Sequence, residues 1–144
     1  MRRALVAMLG LVALLGLDAC SLWGMEGGPG AAGAAEPSDT VAATDAVAGA
    51  DGVQRATITM GDDLRLHPSL VRAHAGTVEL TFRNTGSTPH DIEVQLPAGE
   101  SGTGNLNGGA ATVVRISVSQ PGTYPFPCLY HQSSGMQGTL EVIP

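Results

Sequence analysis

The sequence contains no lysine: its seven basic residues are all arginine, set against thirteen acids for a formal net charge of −6. The acids gather toward the N-terminal side, and residues 53–144 hold five arginines and seven acids, a net of 5 − 7 = −2. A segment so close to balance lacks the basic face that a phosphate backbone requires, so nucleic acid is not an expected partner. Only two cysteines are present, Cys20 and Cys128, which allows one disulfide at most. No stretch carries a convincing helical face, no internal repeat is visible, and no second domain is expected. No nucleophile stands beside a base and no carboxylate pair is apparent, so the chain is not expected to be an enzyme.

What is present begins with MRR, followed by ALVAMLGLVALLGL from Ala4 to Leu17, an uninterrupted small and aliphatic run. At fourteen residues the run falls short of the ~20 that a spanning helix needs, which points to a signal peptide over residues 1–19 and an exported chain. It closes on LDAC, Leu17 to Cys20, which resembles the bacterial lipoprotein cleavage box, although Asp18 departs from the small or apolar residue usual there. That resemblance implies lipidation at Cys20 and a protein anchored to the periplasmic or cell-surface face of a membrane. With Cys20 lipidated, Cys128 has no disulfide partner. A free thiol persists in an oxidising compartment when it is buried, catalytic or bound to metal.

Residues 20–52 consist largely of Gly, Ala, Pro, Ser, Thr and acid, a composition that buries too little apolar surface to offset its ordering entropy. A disordered tether is expected there. From Val53 the pattern changes to period two: RATITM, TVELTFRN, HDIEVQL, ATVVRISV and GTLEVI alternate apolar or β-branched residues with polar ones. Turn clusters such as GDD, NTGSTP and SQPGT separate them, LHPSLVRAHAG adds one or two short strands, and the prolines of GTYPFPC suit an edge or a strand end. The expectation is a single all-β domain over residues 53–144, a Greek-key antiparallel β-sandwich, monomeric. The glycine-rich segment from Pro97 to Ala110 reads as a mobile loop.

The chemistry concentrates in CLYHQSSGM, where Cys128, His131 and Met136 have the spacing Cys-x2-His-x4-Met, and His90 follows NTGSTP in the other half of the domain. Two imidazoles, a thiolate and a long axial thioether form the donor set of a blue-copper electron-transfer centre. Sulfur donors suit Cu(I), and imidazole accommodates both oxidation states. Met60 reads as strand packing, His67 and His74 as surface residues, and Arg65, Arg72, Arg83 and Arg115 as solvated strand faces.

On these residues the segment 53–144 resembles a cupredoxin, and its ligand loop resembles that of plastocyanin. HQSSGM keeps the family's His-Gln-x-x-Gly-Met, NTGSTPH is similar to its segment ending in Pro-His, and YPFPC and MQGTLEVI are similar to the strands that flank the loop. The resemblance implies one type 1 copper cycling between Cu(I) and Cu(II), with His90, Cys128 and His131 as equatorial ligands and Met136 as the axial one. It also implies a Pro89 carbonyl near the metal, and a partly exposed His131 through which electrons leave, flanked by Leu129 and Tyr130. Two positions depart from the family: Asp91 stands where asparagine is frequent, and Tyr130 where plastocyanin has proline. The implied function is to carry one electron between a donor and an acceptor redox protein. The alternative, copper storage or delivery by the same ligands, would be favoured by a Met-rich or His-rich segment, which this chain lacks.

Overall fold

The computed structural model of the chain describes residues 42–144. In chain order the strands are β1 (Ala43–Asp45), β2 (Val47–Ala48), β3 (Gln54–Met60), β4 (Leu66–His67), β5 (Leu70–His74), β6 (Gly76–Asn84), β7 (Glu93–Leu96), β8 (Gly99–Gly102), β9 (Ala111–Val118), β10 (Gly122–Pro127) and β11 (Gln137–Ile143). Among the described residues they are interrupted by one 3-10 turn, Gln132–Ser134. The signal peptide, Cys20 and the tether up to residue 41 lie outside the described residues. Among the described residues, no helix is long and apolar enough to cross a membrane.

Alternation in the sequence becomes alternation in burial. Ala56, Ile58 and Met60 of β3 point inward while Arg55 and Thr57 face solvent, and in β9 Val114, Ile116 and Val118 are buried between exposed Val113, Arg115 and Ser117. One sheet runs β1-β5-β11-β10 and the other β2-β3-β6-β9, with β4 added to β3 and β7-β8 forming a separate hairpin. Their inner faces share one core, in which the rings of Phe82 and Phe126, one from each sheet, meet edge to face at 5.8 Å. The β-sandwich is therefore the expected one. Three of its pairings are parallel, β1 with β5, β5 with β11 and β3 with β6. Parallel neighbours arise where the chain crosses to the other sheet before returning, a connection that period-two patterning does not encode.

Two expectations are corrected. Within the stretch 20–52, read as a disordered tether, residues 43–48 are ordered: β1 pairs with β5 and β2 pairs with β3. These short edge strands hold by main-chain pairing, and Ala46 between them donates to Arg72 O at 2.7 Å, while few side chains are buried, so no apolar alternation marks them. Pro97 to Ala110 is likewise not simply a loop. It contains β8, and Leu106 is 4% exposed and exchanges main-chain hydrogen bonds with His90 in both directions, at 3.1 and 2.7 Å. The glycines permit the tight path, and one leucine supplies the anchor.

The prolines of β10 fit the sheet because β10 is an edge strand paired only with β11. Gly138 of β11 lies opposite Phe126, and a Cβ there would overlap the Phe126 ring. The missing side chain lets that ring lie across the strand next to the ligand loop.

Candidate metal centre

Two segments bring donors to one pole of the sandwich. The first leaves β6 at Asn84 and ends at His90. Asn84 is 1% exposed, and its amide nitrogen donates to the carbonyls of Thr88 (2.8 Å) and Leu106 (3.0 Å) while its oxygen accepts from the amide of Gly86 (3.0 Å). One buried side chain thus fixes two points of the turn that delivers His90 and ties that turn to Leu106 on the neighbouring segment. The second segment joins β10 to β11. Cys128 N donates to Met136 O at 3.0 Å, His131 N to Cys128 O at 3.2 Å and Met136 N to His131 O at 3.3 Å, and Gly135 closes the 3-10 turn at φ +78°. These bonds close the Cys-x2-His-x4-Met spacing into a compact loop. Leu129 N donates to Asp91 O at 2.7 Å, which links the two segments.

Cys128 is a free thiol at 0% exposure, His90 and Met136 are equally buried, and His131 is half-buried. Each of Cys128, His90 and His131 presents one donor atom, and the three lie within 4.8 Å of one another. The sulfur of Cys128 is 3.8 Å from Nδ1 of His90 and 3.5 Å from Nδ1 of His131. A trigonal plane built with a metal–thiolate distance of about 2.3 Å and a metal–imidazole distance of about 2.0 Å has S···N edges of roughly 3.7 Å, so the spacing fits a first-row metal. Nε2 of His90 lies 3.2 Å from the carbonyl of Gly61. A carbonyl only accepts, so Nε2 carries the proton and Nδ1 keeps its lone pair for the metal. Burial, and then the neighbouring imidazole of His131, push the His90 pKa down, which favours the neutral ligand form.

Sulfur at the centre, two imidazoles beside it and Met136 buried at the end of the same loop make copper the metal that the donor set suits. A β-sandwich carrying this set at one pole is a cupredoxin. The comparisons agree: residues 37–142 match the profile of the cupredoxin-like domain. The plastocyanin of Dryopteris crassirhizoma is 34% identical over 103 residues, a match covering 60% of this chain and 99% of the relative. Plastocyanin A/B of Petroselinum crispum is 34% identical over 98 residues, with 60% and 99% covered. Auracyanin from Roseiflexus castenholzii shares the fold, with a TM-score of 0.57 at 24% identity over 62% of this chain and 97% of that one. The chain belongs to the cupredoxin-like family and is a plastocyanin-like blue copper protein.

The structure brings His90, Cys128 and His131 together and places Met136 on the loop that closes over them. Pro89 is exposed at the rim, directly before His90. Asp91 is half-buried, and it joins the two donor segments through its main chain. Leu129 and Tyr130 are exposed at 46% and 51%, and the Tyr130 ring meets that of His131 edge-on at 6.3 Å. Met60 is buried in the core, and His67 and His74 are exposed. Arg72 and Arg115 lie on solvated faces, paired with Glu141 and Glu79. Arg65 is not on a strand: it follows the GDD turn and reaches the ligand loop, donating to Ser134 O at 3.0 Å. Asn84, Leu106 and Arg65 were not legible as site residues. The Asn-x-Gly turn that opens at Asn84 was the one available signal.

Proposed function

We propose that the protein is a one-electron carrier that works outside the cytoplasm, with copper held by His90, Cys128 and His131 and capped by Met136. The observation that carries this reading is the convergence of a buried thiol and two imidazole nitrogens within 4.8 Å, in a plastocyanin-like chain. Bound copper supplies a Cu(I)/Cu(II) couple, in which thiolate and thioether favour the reduced ion and imidazole serves both. The protein contributes a fixed donor geometry, exclusion of water from Cys128 and His90, and a route outward through half-buried His131. With all four positions filled from the chain, a substrate has no coordination site, which favours a carrier over an enzyme.

The chain is exported by the signal peptide and anchored by lipid at Cys20, on the periplasmic or cell-surface face of the membrane. The segment between the anchor and β1 lets the domain reach a donor and an acceptor while raising their effective concentration. Both partners are redox proteins that meet the surface around His131, where Leu129 and Tyr130 are exposed.

Voltammetry of the copper-loaded protein tests the carrier reading: a reversible one-electron wave with copper retained in both states is expected. Transfer of Cu(I) to a chelator on reduction would favour delivery instead. Mass analysis of the N-terminal peptide from membranes tests the anchor, since a lipidated Cys20 is expected and an unmodified residue would remove it.

A further inference from the structure

Three segments meet at the metal-site pole, and the third, the turn Gly61–Arg65 between β3 and β4, supplies no ligand. It touches both segments that do. Gly61 accepts the hydrogen bond from His90 Nε2 at 3.2 Å. Oδ1 of Asp62 accepts from the amides of Ser87 (2.9 Å) and Thr88 (2.8 Å) and from the hydroxyls of Thr88 (2.7 Å) and Ser87 (3.2 Å). On the other side, Arg65 donates to the carbonyl of Ser134, within the 3-10 turn between His131 and Met136.

The turn is itself braced. Leu64 N donates to Gly61 O at 3.2 Å, and the Asp63 carboxylate accepts from Arg65 N at 3.2 Å and pairs with His67 at 2.6 Å. Leu64 is held at φ +55°, a left-handed conformation that a leucine keeps only where its surroundings determine it. Gly86 lets the first donor segment approach closely, because a Cβ there would lie 2.7 Å from the amide nitrogen of Asp62.

We propose that the Gly61–Arg65 turn is a clamp on the metal site, in which Asp62 positions the segment carrying His90 and Arg65 positions the loop carrying His131 and Met136. The donors sit on loops that leave different sheets and would otherwise relax independently. Tied to one rigid turn, they keep their spacing when the charge at the site changes, which is what rapid electron exchange requires. The benefit rests on the proposed carrier function, whereas the clamp itself is a property of the metal-free chain.

Four variants separate hydrogen bonding from charge and bulk: Asp62→Ala, Asp62→Asn, Arg65→Met and Arg65→Lys. Asparagine keeps an Oδ1 acceptor, lysine keeps a donor, and alanine and methionine keep neither. In the metal-free protein, amide hydrogen exchange at Ser87 and Thr88 is expected to accelerate about tenfold or more in Asp62→Ala and to stay near wild type in Asp62→Asn. Exchange at Ser134 and Gly135 is expected to accelerate in Arg65→Met and to be restored in Arg65→Lys. In the copper-loaded protein, Asp62→Ala and Arg65→Met should lose about 10- to 100-fold in copper affinity and show slower electron self-exchange. Unchanged exchange at these amides in folded Asp62→Ala and Arg65→Met overturns the clamp. If Asp62→Ala does not fold, Arg65→Met against Arg65→Lys decides it. Failure of the wild type to cycle its copper would instead refute the carrier reading and leave the metal-free exchange result standing.

Discussion

The main-chain amide of Leu129 donates to the carbonyl of Asp91 at 2.7 Å, so the residue after the first imidazole is bonded to the residue after the thiol. A main-chain link survives replacement of the Asp91 side chain, which leaves that carboxylate available to act through its charge. A negative group beside the site stabilises the more positive Cu(II) state. Asp91→Asn is therefore expected to raise the reduction potential by roughly 20–60 mV, the scale of a partly exposed charge interaction. Voltammetry of the two proteins checks this, and an unchanged or lowered potential would remove Asp91 from the account.

Gly138 is a packing requirement. A methyl group at this position would overlap the Phe126 ring, which is fully buried, so it is accommodated only by displacing packed core. Gly138→Ala should destabilise the domain by about 1–3 kcal/mol, read from urea unfolding at constant m-value.

Asn84 braces the His90 turn from inside. Asn84→Ala leaves the carbonyl of Thr88 and the amide of Gly86 without their partner and strips the buried Leu106 carbonyl of one of its two donors, the other being His90 N. A loss of about 2–3 kcal/mol is expected in equilibrium unfolding. Asn84→Asp restores the acceptor for Gly86 but faces two carbonyls with a carboxylate, so it should not rescue.

The acid limb of stability should report Asp62. Hydrogen bonds from the hydroxyl and amide of Thr88, and then from Ser87, hold its carboxyl down to about 2, against an ordinary 3.8. A depressed carboxyl stabilises the fold fully above its ordinary value, and that contribution disappears as pH falls through the folded one. The stability difference between wild type and Asp62→Ala should therefore be constant at neutral pH and shrink between about pH 4 and pH 2, measured by denaturation across that range.

The donors were legible in the sequence because Cys128, His131 and Met136 lie in one loop and because thiol, imidazole and thioether together have few other uses. The main strands were legible because one face of each is buried, as in β3 and β9. β1 and β2 were not, since edge strands of Ala, Thr, Asp and Val hold their places by main-chain bonds that leave no periodic trace. Leu106 was hidden in a glycine-rich run that reads as loop. The braces at Asp62, Asn84 and Arg65 depend on which turns meet at the pole, as when Arg65 reaches Ser134 across 69 residues. Composition and spacing carry no record of that meeting.

A thiolate-bound copper centre has a direct signature in the visible absorption spectrum of the purified protein after one equivalent of Cu(II). An intense blue charge-transfer band is expected, one that disappears in Cys128→Ser while the fold and the remaining ligands persist. A folded, copper-binding wild type without that band, or a band unchanged in Cys128→Ser, would contradict it.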